Sequence, residues 1–327
     1  MGIKPSPMPD RRLATSLCGI KLGNPVIAAS GTFGYGIEFA SLVDLNKLGG
    51  IVTKGLSREP ISGNPSPRLW QTEAGMINSV GLQNVGVVAF IRDKLPKLRK
   101  LTVPVFVNVF GYCDDDYLEV IRALEDTQGI AAYELNVSCP NTEKGGMFFS
   151  SDPTLLSELV RRVRHAATRP IIVKLSPNVA RIEPFARAAE EAGADAISLV
   201  NTFVSLAIDI DTRMPRLGAG FGGLSGPAIK PIALRMVCEA AQITKIPVIG
   251  LGGIATGEDA AEFLIAGAHA VQVGTASFVD PRAPQRIARE LDRVLLRLGV
   301  KHVNELVGTL QIPNAAFKKS VETTNAK

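Results

Sequence analysis

Along the chain, short unbroken apolar runs alternate with longer segments whose apolar positions recur every three to four residues. That alternation is the signature of parallel strand–helix units. The runs at 25–29, 50–53, 103–109, 132–137, 171–175, 196–200, 247–251 and 270–273 read as strands. They are largely apolar rather than strictly alternating, as strands covered on both faces are. Eight such strands with helices between them predict an α/β fold of the (β/α)8 TIM-barrel type.

The helical segments carry the end signals this fold needs. Asp152 followed by Pro153 opens an amphipathic run with Leu155, Leu156, Leu159, Val160 and Val163 on one face. The segment 182–192 stops at Gly193, and Thr256 caps a segment that stops at Gly267. Two intervals, 54–103 and 201–247, are longer than a crossover requires and are rich in Gly, Pro, Asn and Ser. In a barrel such surplus follows a strand and lies at the C-terminal face, where active sites are built. With no internal repeat and no linker, 1–327 reads as one barrel domain with an ordered core of about 13–312 and a frayed polar tail.

Composition narrows the class. The 327 residues are 46% hydrophobic and 20% charged, enough for a core without disulfide staples. Net charge is +5 and aromatics are 6%, which speaks against a nucleic-acid groove. No run approaches a membrane span, and 1–12 lacks the apolar block of a secretory signal. Cys18, Cys113, Cys139 and Cys238 are scattered, which excludes the common C-x-x-C metal and iron–sulfur runs and favours a reducing, cytoplasmic setting.

The chemistry gathers at the strand ends: Ser30, Lys54, Asn108, Asn136, Lys174, Asn201, Gly252 with Gly253, and Gly274 with Thr275. Asn and Gly end strands in many proteins. Two lysines at buried strand ends are different, since each needs solvent, a carboxylate or a ligand anion. The glycines after strands 7 and 8 match the usual barrel phosphate site. Gly218, Gly220 and Gly223 fit G-x-G-x-x-G spacing, yet no strand precedes them, so they are not a dinucleotide fingerprint. His165, His269 and His302 are isolated, and no metal site is expected. Asp114–Asp116 reads as an acidic, solvated helix start.

Cys139 stands in a polar Asn-Val-Ser-Cys-Pro-Asn loop (136–141) past strand 4, where it is a nucleophile or a general base. Lys144-Gly-Gly-Met-Phe-Phe then offers a glycine hinge with a hydrophobic tip, as a lid has.

That loop, with Gly-Met-Ile-Asn-Ser-Val-Gly-Leu-Gln-Asn (75–84) and Gly-Gly-Leu-Ser-Gly-Pro-Ala-Ile-Lys-Pro (222–231), resembles the dihydroorotate dehydrogenases, in particular the class 1B catalytic subunits. The resemblance runs from about Leu22 to Leu310. It implies an FMN-bound barrel that oxidises (S)-dihydroorotate to orotate in pyrimidine biosynthesis. Cys139 would be the base at substrate C5 while the C6 hydride passes to the flavin. Ser30, Lys54, Gly55, Asn108, Asn136, Lys174, Val200, Gly226, Gly252, Gly253, Gly274 and Thr275 would hold FMN, with Lys174 near flavin N1. Lys54, Asn78, Ser79, Val80, Gly81, Leu82, Asn136, Asn201 and Thr202 would hold the substrate. Class 1B further implies electrons passed to NAD+ through a partner subunit carrying FAD and a 2Fe–2S cluster, with a homodimer inside a heterotetramer. The scattered cysteines fit a cluster on another chain. A fumarate-dependent class 1A enzyme, a dihydropyrimidine dehydrogenase-type flavin domain and a non-catalytic FMN- or phosphate-binding barrel are the competing readings.

Overall fold

The computed structural model describes residues 12–138 and 149–313. Eight parallel strands close into a barrel: β1 (Val26–Ala28), β2 (Gly50–Val52), β3 (Val105–Val109), β4 (Ala132–Asn136), β5 (Ile171–Lys174), β6 (Ala196–Leu199), β7 (Val248–Leu251) and β8 (Ala268–Val273). They follow one another around the barrel in chain order, and β8 closes on β1 with Val271 opposite Val26. All the strands expected from the apolar runs are present, with ends displaced by two residues at most.

One residue from each strand fills the lower barrel interior: Ile27, Val52, Phe106, Ala132, Ile172, Ala196, Ile249 and Ala270. Large side chains on some strands face alanines on others, the alternation of sizes that lets a barrel layer interdigitate. Leu17 and Leu22 join it from below. They come from an antiparallel hairpin, Thr15–Leu17 with Ile20–Leu22, that plugs the N-terminal mouth. Its turn places Cys18 at φ 49° and Gly19 at φ 78°, the paired positive φ values of a two-residue hairpin turn.

The expected helix starts are present. Asp152 accepts from the Thr154 amide at 2.7 Å to open Pro153–Ala166. Thr256 and Asp259 form a reciprocal capping box on Gly257–Ile265. Asp114–Glu125 begins at the acidic run, but those carboxylates are engaged rather than merely solvated. Asp116 accepts from the Tyr112 amide at 2.8 Å, and Asp114 and Asp115 hold Arg162 at 2.8 and 2.6 Å.

The two long intervals contain more order than loop chemistry suggests. Each contributes strands to one four-stranded antiparallel sheet over the C-terminal mouth, in the order Phe203–Ser205, Gly222–Ser225, Gly75–Asn78, Leu69–Thr72. Gly223, Leu224 and Ser225 pair with Asn78, Ile77 and Met76, so the insertion after β2 is stitched to the insertion after β6. Arg216 lies over the Trp70 ring at 4.3 Å and pins the outer strand from the other insertion. Gly218 and Gly220 fall in the connection between Phe203–Ser205 and Gly222–Ser225, and Gly222 and Gly223 in the latter strand, so no barrel strand leads into this run and no helix opens within it.

Candidate active site

A cavity of about 770 Å³ opens at the ends of β6, β7 and β8. Its floor is backbone. Gly226, Gly252 and Gly253 have φ of 92°, 127° and 76°. A Cβ on Gly253 would lie 2.8 Å from the Gly226 carbonyl oxygen, and one on Gly226 would lie 2.9 Å from the Gly75 Cα. Only glycine permits this combination of backbone shape and close approach. Gly274 and Thr275 follow β8 on the same wall, and Ser30, Lys174 and Val200 complete it. Exposed backbone at the ends of strands 7 and 8 is the arrangement by which barrels receive a phosphate.

A second cavity of about 520 Å³ adjoins the first and shares Ser30, Asn78, Lys174, Asn201 and Thr202 with it, together with Thr32 and Phe278. Lys54, Gly55, residues 78–82, Asn108 and Asn136 line it. Its walls are amides, hydroxyls and lysines, held by one another. Asn201 Nδ2 donates to Asn136 Oδ1 at 3.3 Å, and the Thr202 amide donates to Asn201 Oδ1 at 2.8 Å. Asn64 Nδ2 donates to the Ser79 hydroxyl at 2.7 Å. Burial pushes the Lys54 ammonium below the ordinary lysine range, and the positive charges of Lys174 and Arg68 add to the effect. An anion bound here would reverse that pressure.

Every residue expected at the site lines one of these two cavities, apart from Cys139, which lies outside the described residues. Asn108 is not a strand-end residue, as its place in the sequence pattern suggests, but sits within β3 and is buried a level lower. The lid expectation changes too. Residues 144–148 lie outside the described chain, but Phe149 is buried with its ring edge-on to Tyr117 at 5.8 Å. It is a core anchor and not a lid tip.

One residue at the site escapes the sequence pattern. Glu134, in the middle of β4, is 0% exposed inside the barrel. Asn108 Nδ2 donates to its Oε1 at 2.8 Å, while Gln272 Nε2 and the Ser198 hydroxyl donate to its Oε2 at 2.6 and 3.0 Å. The Lys174 ammonium lies 3.7 Å from Oε1. The available signal was a lone carboxylate in the apolar strand Ala-Tyr-Glu-Leu-Asn. A buried charge of that kind needs partners. Among the described residues no cluster of His, Cys, Asp or Glu could hold a metal ion, and no helix is long and apolar enough to cross a membrane.

A family model described as dihydroorotate dehydrogenase matches residues 12–295. A protein of Solibacter usitatus named putative dihydroorotate dehydrogenase A (fumarate) is 69% identical over 92% of this chain and 99% of its own length. A dihydroorotate dehydrogenase B (NAD(+)) catalytic subunit of Geotalea uraniireducens is 53% identical over 91% of this chain and 98% of its own. Among solved structures, that of a dihydroorotate dehydrogenase of Eimeria tenella in complex with ferulenol superposes with a TM-score of 0.78. It covers 93% of this chain and 89% of its own at 22% identity, a likeness of fold.

Proposed function

Since this chain belongs to the dihydroorotate dehydrogenase family, oxidoreductases that convert dihydroorotate to orotate, we propose that its two adjoining cavities divide that reaction between cofactor and substrate. FMN takes the larger cavity, its ring end reaching past the shared wall to Asn108 and Gly55 at the inner end of the smaller one, and dihydroorotate takes the rest of the smaller. The observation that carries this reading is their shared wall: Ser30, Asn78, Lys174, Asn201 and Thr202 face both spaces, so two ligands would meet there.

The residues suit FMN. The backbone floor at Gly226, Gly252 and Gly253 leaves room for a phosphate where any side chain would intrude. Asn108 Oδ1 is buried without a partner, because Nδ2 is committed to Glu134. It is an acceptor in want of an N–H, which a flavin ring edge supplies. Bound FMN would supply the two-electron acceptor for the substrate hydride.

The rest is the work of this chain. Lys54 would hold the substrate carboxylate by charge, in a site dry enough for that charge to count. Asn78, Asn136, Asn201 and the 79–82 loop would read the amide edges of the pyrimidine ring and fix its face toward the shared wall. Cys139, three residues after Asn136, is the proposed base that takes the C5 proton. One barrel domain would carry all of this in the cytoplasm.

For the second half-reaction we propose the class 1B route: NAD+ as acceptor through a partner subunit with FAD and a 2Fe–2S cluster, around a homodimer of this chain. The names of several relatives at 50–53% identity favour it. So does the mouth of the larger cavity, where Phe278 and Val279 are 42% and 87% exposed. Fumarate is the second reading, favoured by the name of the 69% identical relative. The test is to release the cofactor by heat, identify it by mass, and then reoxidise the dihydroorotate-reduced protein with fumarate alone or with NAD+ and a copurified flavin–iron–sulfur protein. Fast reoxidation by fumarate alone would replace the class 1B reading with class 1A. A released cofactor other than FMN would overturn the cavity assignment.

A further inference from the structure

The Glu134 network ties five barrel strands to one carboxylate: Asn108 on β3, Glu134 itself on β4, Lys174 on β5, Ser198 on β6 and Gln272 on β8. All five side chains are buried, and four of them converge on the carboxylate from around the barrel. A group this enclosed is dispensable to folding in principle, since apolar residues fill other barrels at this level. Its position explains it better. Two of its partners, Asn108 and Lys174, line the cavities directly, whereas Glu134 lines neither.

We propose that Glu134 is a positioning residue that sets the electrostatic environment of the cofactor. It supplies the buried counter-charge to Lys174 and turns the Asn108 amide so that Oδ1 faces away from the carboxylate, toward the cavity. The inference rests on FMN reaching from the larger cavity, which Lys174 lines, to Asn108 in the smaller one. The orientation of Asn108 follows from chemistry: a carboxylate only accepts, so the amide must point Nδ2 at it and leave Oδ1 on the other side. Gly55 keeps that side open, since a Cβ there would lie 2.8 Å from Asn108 Oδ1. The charge argument is equally direct. Lys174 beside the cofactor favours any state of it that gains negative charge, and Glu134 at 3.7 Å offsets part of that attraction. The pair therefore holds the cofactor's affinity for electrons below what Lys174 alone would give.

Glu134→Gln tests this with little disturbance of shape. The new amide oxygen can accept from Asn108 and Lys174. Its NH2 can face the Ser198 hydroxyl and the Gln272 amide turned over, because Gln272 Oε1 has no partner in the native arrangement. The readout is the midpoint potential of bound FMN, with FMN affinity measured alongside by fluorescence. The Gln variant is expected to retain flavin and to bind reduced FMN more tightly relative to oxidised by about tenfold, ~30 mV upward for a two-electron couple. If the Gln variant does not fold, Glu134→Asp is read instead. It withdraws the charge from Lys174 by one methylene and is expected to shift the potential the same way by less. A flavin-loaded variant with an unchanged or lowered potential overturns the inference alone. Wild-type protein that binds no FMN overturns the cofactor placement and this inference with it.

Discussion

Asn78 stands opposite Gly223 in the antiparallel sheet over the barrel mouth, and its Nδ2 donates to the Gly223 carbonyl at 3.3 Å. The contact joins two insertions that are 145 residues apart. It also fixes the one side chain of that sheet that lines both cavities, and in the proposed site Asn78 Oδ1 would accept from a ring N–H of the substrate. Asn78→Asp keeps an acceptor but loses the donor to the Gly223 carbonyl and adds a negative charge beside an anionic substrate. It is expected to raise KM for dihydroorotate by about tenfold or more, like charges in a dry site being costly, with FMN content unchanged. Steady-state kinetics with absorbance of the bound flavin checks both parts.

On the other side of that register, a Cβ at Gly223 would fall 1.9 Å from Thr202 Oγ1. Gly223→Ala must therefore displace Thr202 from the substrate cavity. Overpacking of this kind costs about 1–3 kcal/mol. A lowered Tm together with a raised KM is expected, and a variant with native KM would contradict the placement of Thr202.

Lys54 gives a pH signature. Burial, assisted by Lys174 and Arg68, depresses its pKa below the ordinary lysine value. The ammonium thus loses its charge at a lower pH than a solvated lysine does. As pH rises through that depressed value the anion loses its partner, so KM for dihydroorotate is expected to climb on the alkaline side. Below it, Lys54 is charged and KM is flat. Substrate binding on the alkaline limb should take up a proton, since the bound anion favours the charged form. In Lys54→Gln, KM should be high throughout and the limb should vanish. A retained alkaline limb in that variant would assign it to another group.

The phosphate floor is tested at Gly253. Its φ of 76° and the 2.8 Å approach of a Cβ to the Gly226 carbonyl oxygen both oppose a side chain. Gly253→Ala is expected to weaken FMN binding by about tenfold, the equivalent of the 1–2 kcal/mol that left-handed backbone costs an L-residue. Titration of the apoprotein with FMN measures it. Gly274, where a Cβ would meet nothing nearer than 3.6 Å, should tolerate alanine better and serves as the control.

Cys139→Ala is expected to keep FMN and to lose most substrate oxidation between about pH 7 and 9, where a free thiol near ~8.5 begins to act as a base. The pH dependence of kcat should rise with thiolate formation, opposite in sense to the effect of losing Lys54 charge on KM. Near-native turnover in the variant would remove Cys139 from the chemistry.

The barrel and its glycine floor were legible in the sequence because each depends on local pattern. A short β-branched apolar run such as Ile171–Val173, placed between helical segments, reads as a covered strand, and Gly252-Gly253 after β7 matches the barrel's usual phosphate loop. What escaped depends on distant partners. Gly75–Asn78 and Gly222–Ser225 are weak strands by composition, and only their pairing across the barrel mouth makes them a sheet. Glu134 reads as an interruption of an apolar strand until Asn108, Ser198 and Gln272 converge on it. Phe149 resembled a lid tip because nothing local announces Tyr117 as its neighbour.

The most direct test of the whole account is to mix flavin-loaded protein with (S)-dihydroorotate in the absence of oxygen and follow the visible flavin absorbance. Two ligands meeting at the wall of Ser30, Asn78, Lys174, Asn201 and Thr202 require the band to bleach within a single turnover, with one orotate formed per flavin. A flavin that stays oxidised with substrate bound would contradict it.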